Sequence, residues 1–160
     1  MSAKGGGMVI ERAVKADAAV ILGLQYRAYQ SEADLYHNQR IPPLLQTLDE
    51  ITTEFDDHIF LKATVDSQLV GSVRAHVKDD TGFIGRLIVE PTYQRRGIGT
   101  ALMAAIEKEL PEVARFELFT GTKSEQNLSL YRKLGYEPCR EEQIAPGLVF
   151  VYLQKPHAEV

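Results

Sequence analysis

The stretch Gln94-Arg95-Arg96-Gly97-Ile98-Gly99-Thr100 combines two cations, two glycines and the start of an apolar helical period. A glycine-containing loop that enters a helix leaves several N–H groups without intrahelical partners, aimed at one spot and reinforced by the helix dipole. Such a spot holds a phosphate or pyrophosphate. Gly97 and Gly99 would let the main chain approach the anion closely, and Arg95 and Arg96 add fixed positive charge to a chain of formal net charge -4. Two glycines alone mark a plain tight turn equally well. Other phosphate loops do not fit: Gly-x-x-x-x-Gly-Lys-Ser/Thr is missing, and the dinucleotide fingerprint lacks its third glycine and its place after the first strand of a parallel unit.

Composition narrows the classes further. With 160 residues, 44% hydrophobic and 25% charged, the chain has the material for one domain. The balance of 18 Lys and Arg against 22 Asp and Glu lacks the basic footprint of a nucleic-acid binder. No apolar run approaches the roughly 18 residues of a membrane span, and the N-terminus lacks a signal-peptide core, so a cytoplasmic location with no membrane partner is expected. Cys139 is the single cysteine, which excludes an intramolecular disulfide and a cysteine zinc cage. It reads as a semi-buried structural thiol. His37, His58, His76 and His157 show no His-Glu-x-x-His spacing, so no metal is expected.

The elements that must position the loop follow from periodicity. Residues 1–7 contain three consecutive glycines and are expected to be disordered, or a remnant ahead of a native start at Met8. A strand-like run from Val9 precedes a helix capped by Asp17 and extending to about residue 30. Ile41-Pro42-Pro43-Leu44-Leu45 reads as a shaped loop, and Thr47 with Glu50 forms a capping box for a short helix to about Phe55. Three strands in a meander follow, Ile59 to Val65, Leu69 to Lys78 and Phe83 to Val89, stopped by Glu90-Pro91. A helix from Ile98 ends at Pro111, Phe116 to Phe119 is a strand, and a second capping box at Thr122 and Glu125 opens a helix that ends at Gly135. Leu148 to Leu153 closes the sheet.

Gln94-Arg95-Arg96-Gly97-Ile98-Gly99 resembles the Q/R-x-x-G-x-G/A acyl-CoA loop of the GNAT N-acetyltransferase superfamily. Leu87-Ile88-Val89-Glu90-Pro91 is similar to the family's central strand and exit proline, and the run from Asn127 through Tyr131 to Gly135-Tyr136 is similar to its later N-x-x-x-x-Y-x-x-x-G-F/Y helix. The order of elements agrees from about Val9 to Leu153. The resemblance implies an α/β fold of α+β type: a mixed, mostly antiparallel sheet of six or seven strands with about four helices and splayed central strands. Residues 8–156 would form a single N-acetyltransferase domain. It implies acetyl-CoA as cosubstrate, with Leu87, Ile88 and Val89 bonding the pantetheine through main chain. Gln94, Arg95, Arg96, Gly97, Ile98, Gly99 and Thr100 would take the pyrophosphate, Asn127 would also bond the pantetheine, and Tyr131 would face the thioester sulfur. Tyr131 is then the general acid, since a phenol of pKa about 10 is a plausible donor to a thiolate of about 8.5. Packing explains an aromatic at this spacing too, as helix capping explains Asn127.

The expected reaction is transfer of acetyl to a primary amine, of a small molecule or a peptide, by direct attack on the thioester; a homodimer is allowed. A non-catalytic acyl-CoA-binding or sensory domain is the alternative. Relatives often carry a base at positions matching Phe83 or Gly85, and neither residue here accepts a proton. Glu54, His76 and a water therefore stand as base candidates. Arg86 is expected on the face opposite Leu87, where a long basic side chain covers the sheet or, as the lesser alternative, contacts substrate. Glu50, Glu54, Asp56 and Asp57 would either attract a cationic amine or form a solvated acidic face.

Overall fold

A computed structural model describes residues 7–157, so the expectation for residues 1–7 lies outside the described residues except at Gly7. Along the chain come β1 (Met8–Arg12), a 3-10 turn (Lys15–Asp17), α1 (Ala18–Leu35), α2 (Pro42–Leu45), α3 (Leu48–Glu54), β2 (Ile59–Val65), β3 (Gln68–Lys78) and β4 (Thr81–Val89). A second 3-10 turn (Pro91–Tyr93) leads to α4 (Ile98–Lys108), β5 (Arg115–Gly121), α5 (Glu125–Lys133), β6 (Glu137–Ala145) and β7 (Leu148–Pro156). The described strands form one seven-stranded sheet in the order β1-β2-β3-β4-β5-β7-β6. Every neighbouring pair is antiparallel except β4 with β5.

Helices cover both faces. Leu102, Met103 and Ile106 of α4 and Tyr131 of α5 pack with Val73, Ile84, Phe116, Leu118 and Leu153 on one side. Ile21 and Leu24 of α1 and Ile51 of α3 pack with Phe60 and Ile88 on the other. Both layers bury apolar side chains that would otherwise order water, the main stabilising term of the fold.

One strand serves both layers. Ile84 belongs to the α4 side and Ile88 to the α1 side, although they stand an even number of positions apart and plain alternation would keep them together. The register explains it: Arg74 pairs with Gly85 and Ser72 with Ile88, so Val73 alone stands opposite Arg86 and Leu87. Arg86 takes φ of 51°, the conformation of a bulge residue. Bulges raise local twist, and here β4 leaves β5 early. The β4–β5 ladder spans only Thr81–Phe83 against Arg115–Glu117.

Several expectations need correction. α1 runs to Leu35, not to about residue 30, because Tyr29, Ala33 and Tyr36 keep an apolar face docked while Gln30, Ser31 and Asp34 look outward. Asp17 does not cap it; its carboxylate accepts from Val14 N–H at 2.9 Å and pairs with Lys62 at 3.0 Å. The expected loop at Pro42-Pro43 is the helical turn α2, whose first positions need no N–H donor, and it raises the helix count to five. Thr47 and Glu50 do form their capping box, at 3.2 and 2.9 Å. The second one does not form: Ser124 stands at the cap of α5 with its hydroxyl turned elsewhere. β6 was hidden because its residues are polar and almost all exposed, as suits an edge strand. Cys139 on it is exposed, not semi-buried, with Sγ 3.3 Å from the carbonyl of Tyr152.

Candidate active site

Beyond Phe83 the facing edges of β4 and β5 carry no ladder bonds to each other, so those N–H and C=O groups of Ile84–Val89 that point away from β3 border an open cleft. A cavity of about 720 Å³ fills it. Leu87, Ile88, Val89, Gln94, Asn127 and Tyr131 all line this cavity, which brings together residues from three separated parts of the chain. An extended, polar ligand can add to such an edge as another strand would, through main-chain bonds.

The stretch from Arg95 to Thr100 lies outside the lining, as an exposed loop and first helical turn next to it. Arg95 and Gly97 both have positive φ, 66° and 81°, which turns the chain sharply into α4. Gly97 stands at the cap of α4 without a side-chain cap bond, so the first N–H groups of the helix remain available. A Cβ on Gly97 would meet nothing within 4 Å, so only its φ and the space above it call for glycine. Gly99 is different: its missing side chain faces Leu87, Leu130 and Val89 at 3.7–4.0 Å. Ile98 is buried in the α4 core and offers only main chain. Arg96 lies over the Tyr93 ring at 4.7 Å. A diphosphate fits this turn: free helix-start amides, two nearby guanidinium groups and an open approach.

Tyr131 is only 7% exposed, yet its hydroxyl makes no hydrogen bond among the described residues and its side chain lines the cavity. Burial pushes its phenol well above the ordinary value, with Tyr29 and Glu32 adding to the effect, so it holds its proton at neutral pH. Asn127 does not cap α5; its amide donates to Thr120 Oγ1 at 3.2 Å and holds the side chain at the cleft wall.

The opposite wall comes from α1. Tyr29, Glu32 and Tyr36 recur at helical spacing and line the cavity, a stripe that exists because α1 continues past residue 30 to Leu35. A relay of hydroxyls ties this wall to β5 and α5. Lys123 N–H donates to Tyr36 Oη at 2.9 Å, Tyr36 Oη lies 2.9 Å from Ser124 Oγ, and Ser124 donates to Glu32 at 2.5 Å. Gly121 makes room for it, since a Cβ there would stand 1.9 Å from Tyr36 Oη.

A second cavity, of about 400 Å³, shares Tyr29, Ile84, Gly85, Arg86 and Phe119 with the first. Glu54 and His76 both line it. Glu54 is engaged on both oxygens, with Arg74 at 2.7 Å and Gln46 at 2.9 Å, which makes it a poor base. His76 stacks on Phe83 at 5.2 Å and sits 4.8 Å from the His58 ring. Burial and then the neighbouring His58 lower its pKa, against weaker opposing effects of Asp57 and Glu54, so it is neutral at pH 7. The acidic rim is spoken for: Glu50 caps α3, Asp56 pairs with Lys15 at 2.9 Å and Asp57 with His58 at 2.6 Å. Arg86 lines both cavities instead of merely covering the sheet.

Among the described residues no group of three or more His, Cys, Asp or Glu could hold a metal, and no helix is long and apolar enough to cross a membrane.

Comparison with known proteins bears on the fold and the family. A protein of Bacillus subtilis (strain 168), provisionally named an acetyltransferase, is 25% identical over 132 residues, which is 81% of this chain and 88% of that one. The fold matches the ribosomal-protein-S18-alanine N-acetyltransferase of Escherichia coli with a TM-score of 0.80 at 17% identity, covering 96% of both chains. It also matches the PaiA N-acetyltransferase of Thermoplasma acidophilum, solved with coenzyme A, with a TM-score of 0.70 at 18% identity over 94% of this chain and 99% of that one. Residues 25–136, from α1 through both motifs to Tyr136, match the model of the acetyltransferase (GNAT) family, and the chain belongs to that family.

Proposed function

We propose that this protein transfers the acetyl group of acetyl-CoA to a primary amine by direct attack of the amine on the thioester. The observation that carries the reading is Tyr131: a protonated phenol without a protein partner, in the cleft where β4 and β5 part. The cosubstrate supplies an activated acyl group and a thiol leaving group. Main-chain groups of Leu87–Val89 hold its arm, and an N–H at the strand end, at Val89, stabilises negative charge developing on the thioester oxygen. The turn from Gln94 to Thr100 holds the diphosphate, and Asn127 bonds the arm from α5.

Tyr131 hands its proton to the departing sulfur. A buried phenol is a weaker acid than a free one, but the same dry cleft raises the proton affinity of the thiolate, so the two shift together. His76 is the side chain that accepts the amine proton, directly or through water, because it is neutral at pH 7 and opens on the cavity adjoining the cleft. The protein acts in the cytoplasm on this reading.

The test is release of coenzyme thiol and formation of acetylated product with a panel of amines, in the wild type and in Tyr131→Phe. Turnover in the variant should fall by roughly 10²–10⁴-fold while acetyl-CoA affinity stays close to normal. A chemical rate unchanged by the loss of the hydroxyl removes Tyr131 from proton transfer. Coenzyme binding without product from any amine would favour a sensory role.

A further inference from the structure

Around the smaller cavity Glu54 pairs with Arg74 and Glu117 with Arg140, while in the larger one Glu32 accepts from the neutral Ser124 hydroxyl and Glu125 lies on the exposed lining. Lys123 is at the rim, exposed to solvent and 5.9 Å from the Tyr36 ring centroid. Arg86 stands apart: it makes no ion pair among the described residues, it is half-buried, and it lines both cavities where they meet. Tyr29, itself part of both linings, is its neighbour. The pKa of Arg74 is depressed first by burial, and Arg86 adds to that as a like charge. A second guanidinium left unmatched in a partly dry cleft is a site for an anion.

The apolar surface beside it is also unfinished. Phe119 is 44% exposed although it lies inside the cleft, stacked on Phe150 with ring centroids 4.6 Å apart and tilted against Tyr152 at 5.4 Å. Phe119 and Phe150 both line the larger cavity. An aromatic pair of this kind gains from burial under another apolar group.

We propose that the acceptor is an amine carrying both a carboxylate and an apolar side chain, a large hydrophobic α-amino acid, with Arg86 pairing the carboxylate and the Phe119–Phe150 face covering the side chain. The proposal rests on the acetyl-transfer reading above. In the reaction a C–N bond forms and the C–S bond breaks; the amine proton leaves to His76 or water, and the thiolate takes a proton from Tyr131. Product is an N-acetyl amino acid and free thiol, with no oxidant or other co-reactant.

The experiment compares acetylation of L-phenylalanine, L-phenylalaninamide, phenethylamine and glycine, in the wild type, Arg86→Gln and Arg86→Lys. In the wild type, kcat/KM for L-phenylalanine should exceed that for the amide and for phenethylamine by roughly 10–100-fold, the size of one charge-assisted hydrogen bond or a little more. In Arg86→Gln the ratio of acid to amide should collapse to within about 3-fold of one, through KM more than kcat, and Arg86→Lys should recover part of it. Glycine should lag behind L-phenylalanine. Equal rates with and without the carboxylate, or a ratio untouched by Arg86→Gln, overturn the proposal while leaving acetyl transfer intact. A binding arm separates the two readings: calorimetry of N-acetyl-L-phenylalanine and its amide in the presence of coenzyme A. Carboxylate-dependent binding that is lost in Arg86→Gln, with no turnover of any amine, would keep the Arg86 site and discard the enzyme. Loss of the preference in both arms discards the Arg86 site.

Discussion

Gly121→Ala is the sharpest probe of how the cleft is held. The added methyl would stand 1.9 Å from Tyr36 Oη, 2.4 Å from Cζ and 3.0 Å from Cε2, so the ring itself is in the way and not only its flexible end. Gly121 does not have positive φ, so alanine brings no backbone strain of its own. The whole penalty must therefore pass through Tyr36. Forcing a buried ring aside costs about 1–3 kcal/mol, and the displaced hydroxyl gives up its bonds to Lys123 N–H and Ser124, worth about 1 kcal/mol each. A destabilisation of about 3–5 kcal/mol is expected in urea unfolding followed by circular dichroism. The cycle with Tyr36 makes the reasoning testable. In a Tyr36→Ala background the obstacle is gone, and Gly121→Ala should be neutral or stabilise by about 0.5 kcal/mol, since glycine is the weaker strand residue. Tyr36→Phe should rescue only in part, because removing Oη leaves Cζ too close. If Gly121→Ala costs as much without the Tyr36 side chain as with it, the steric argument is wrong.

Two further outcomes follow from the same geometry. Gly97→Val places a β-branched residue at φ of 81° in a turn with open space around it, so acetyl-CoA affinity measured by calorimetry should fall at least 10-fold while the thermal midpoint moves by only a few degrees; unchanged affinity removes the turn from coenzyme binding. His76 has a native pKa below its unfolded value of 6.5, so the unfolded chain binds the extra proton first as pH falls; its contribution to stability is complete above pH 6.5 and is lost as pH falls through the depressed native pKa, a loss that His76→Gln should remove from the pH dependence of unfolding.

Periodicity and turn chemistry made most of the fold legible. The meander β2 to β4, the turn into α4 and the glycine that ends α5, Gly135 with φ of 100°, all carry local signals strong enough to survive tertiary context. The turn into α4 is legible because a chain that reverses at positive φ writes glycine into the sequence at a fixed place, here Gly97. The elements that escaped notice depend on neighbours. β6 is a strand because β7 lies beside it, not because of its own pattern. Glu32, Tyr36 and Ser124 read as ordinary surface and core residues until α1 is brought across to β5. The position of Arg86 between two cavities depends on the bulge, for which no residue type is diagnostic.

That bulge has a meaning beyond geometry. A regular strand is read in one phase, and all its odd residues share a fate. β4 is read in two: Phe83 and Gly85 belong with the α1 face before the break, while Leu87 and Val89 join the α4 core after it. Removing one residue at the break would put the downstream half out of step, swapping Leu87 and Val89 with Ile88 between the two cores. A substitution at Arg86 is a change of chemistry, whereas a deletion there is a frameshift in space. The extra residue lets a single strand finish two separate cores and deliver a charged side chain to the opening between them.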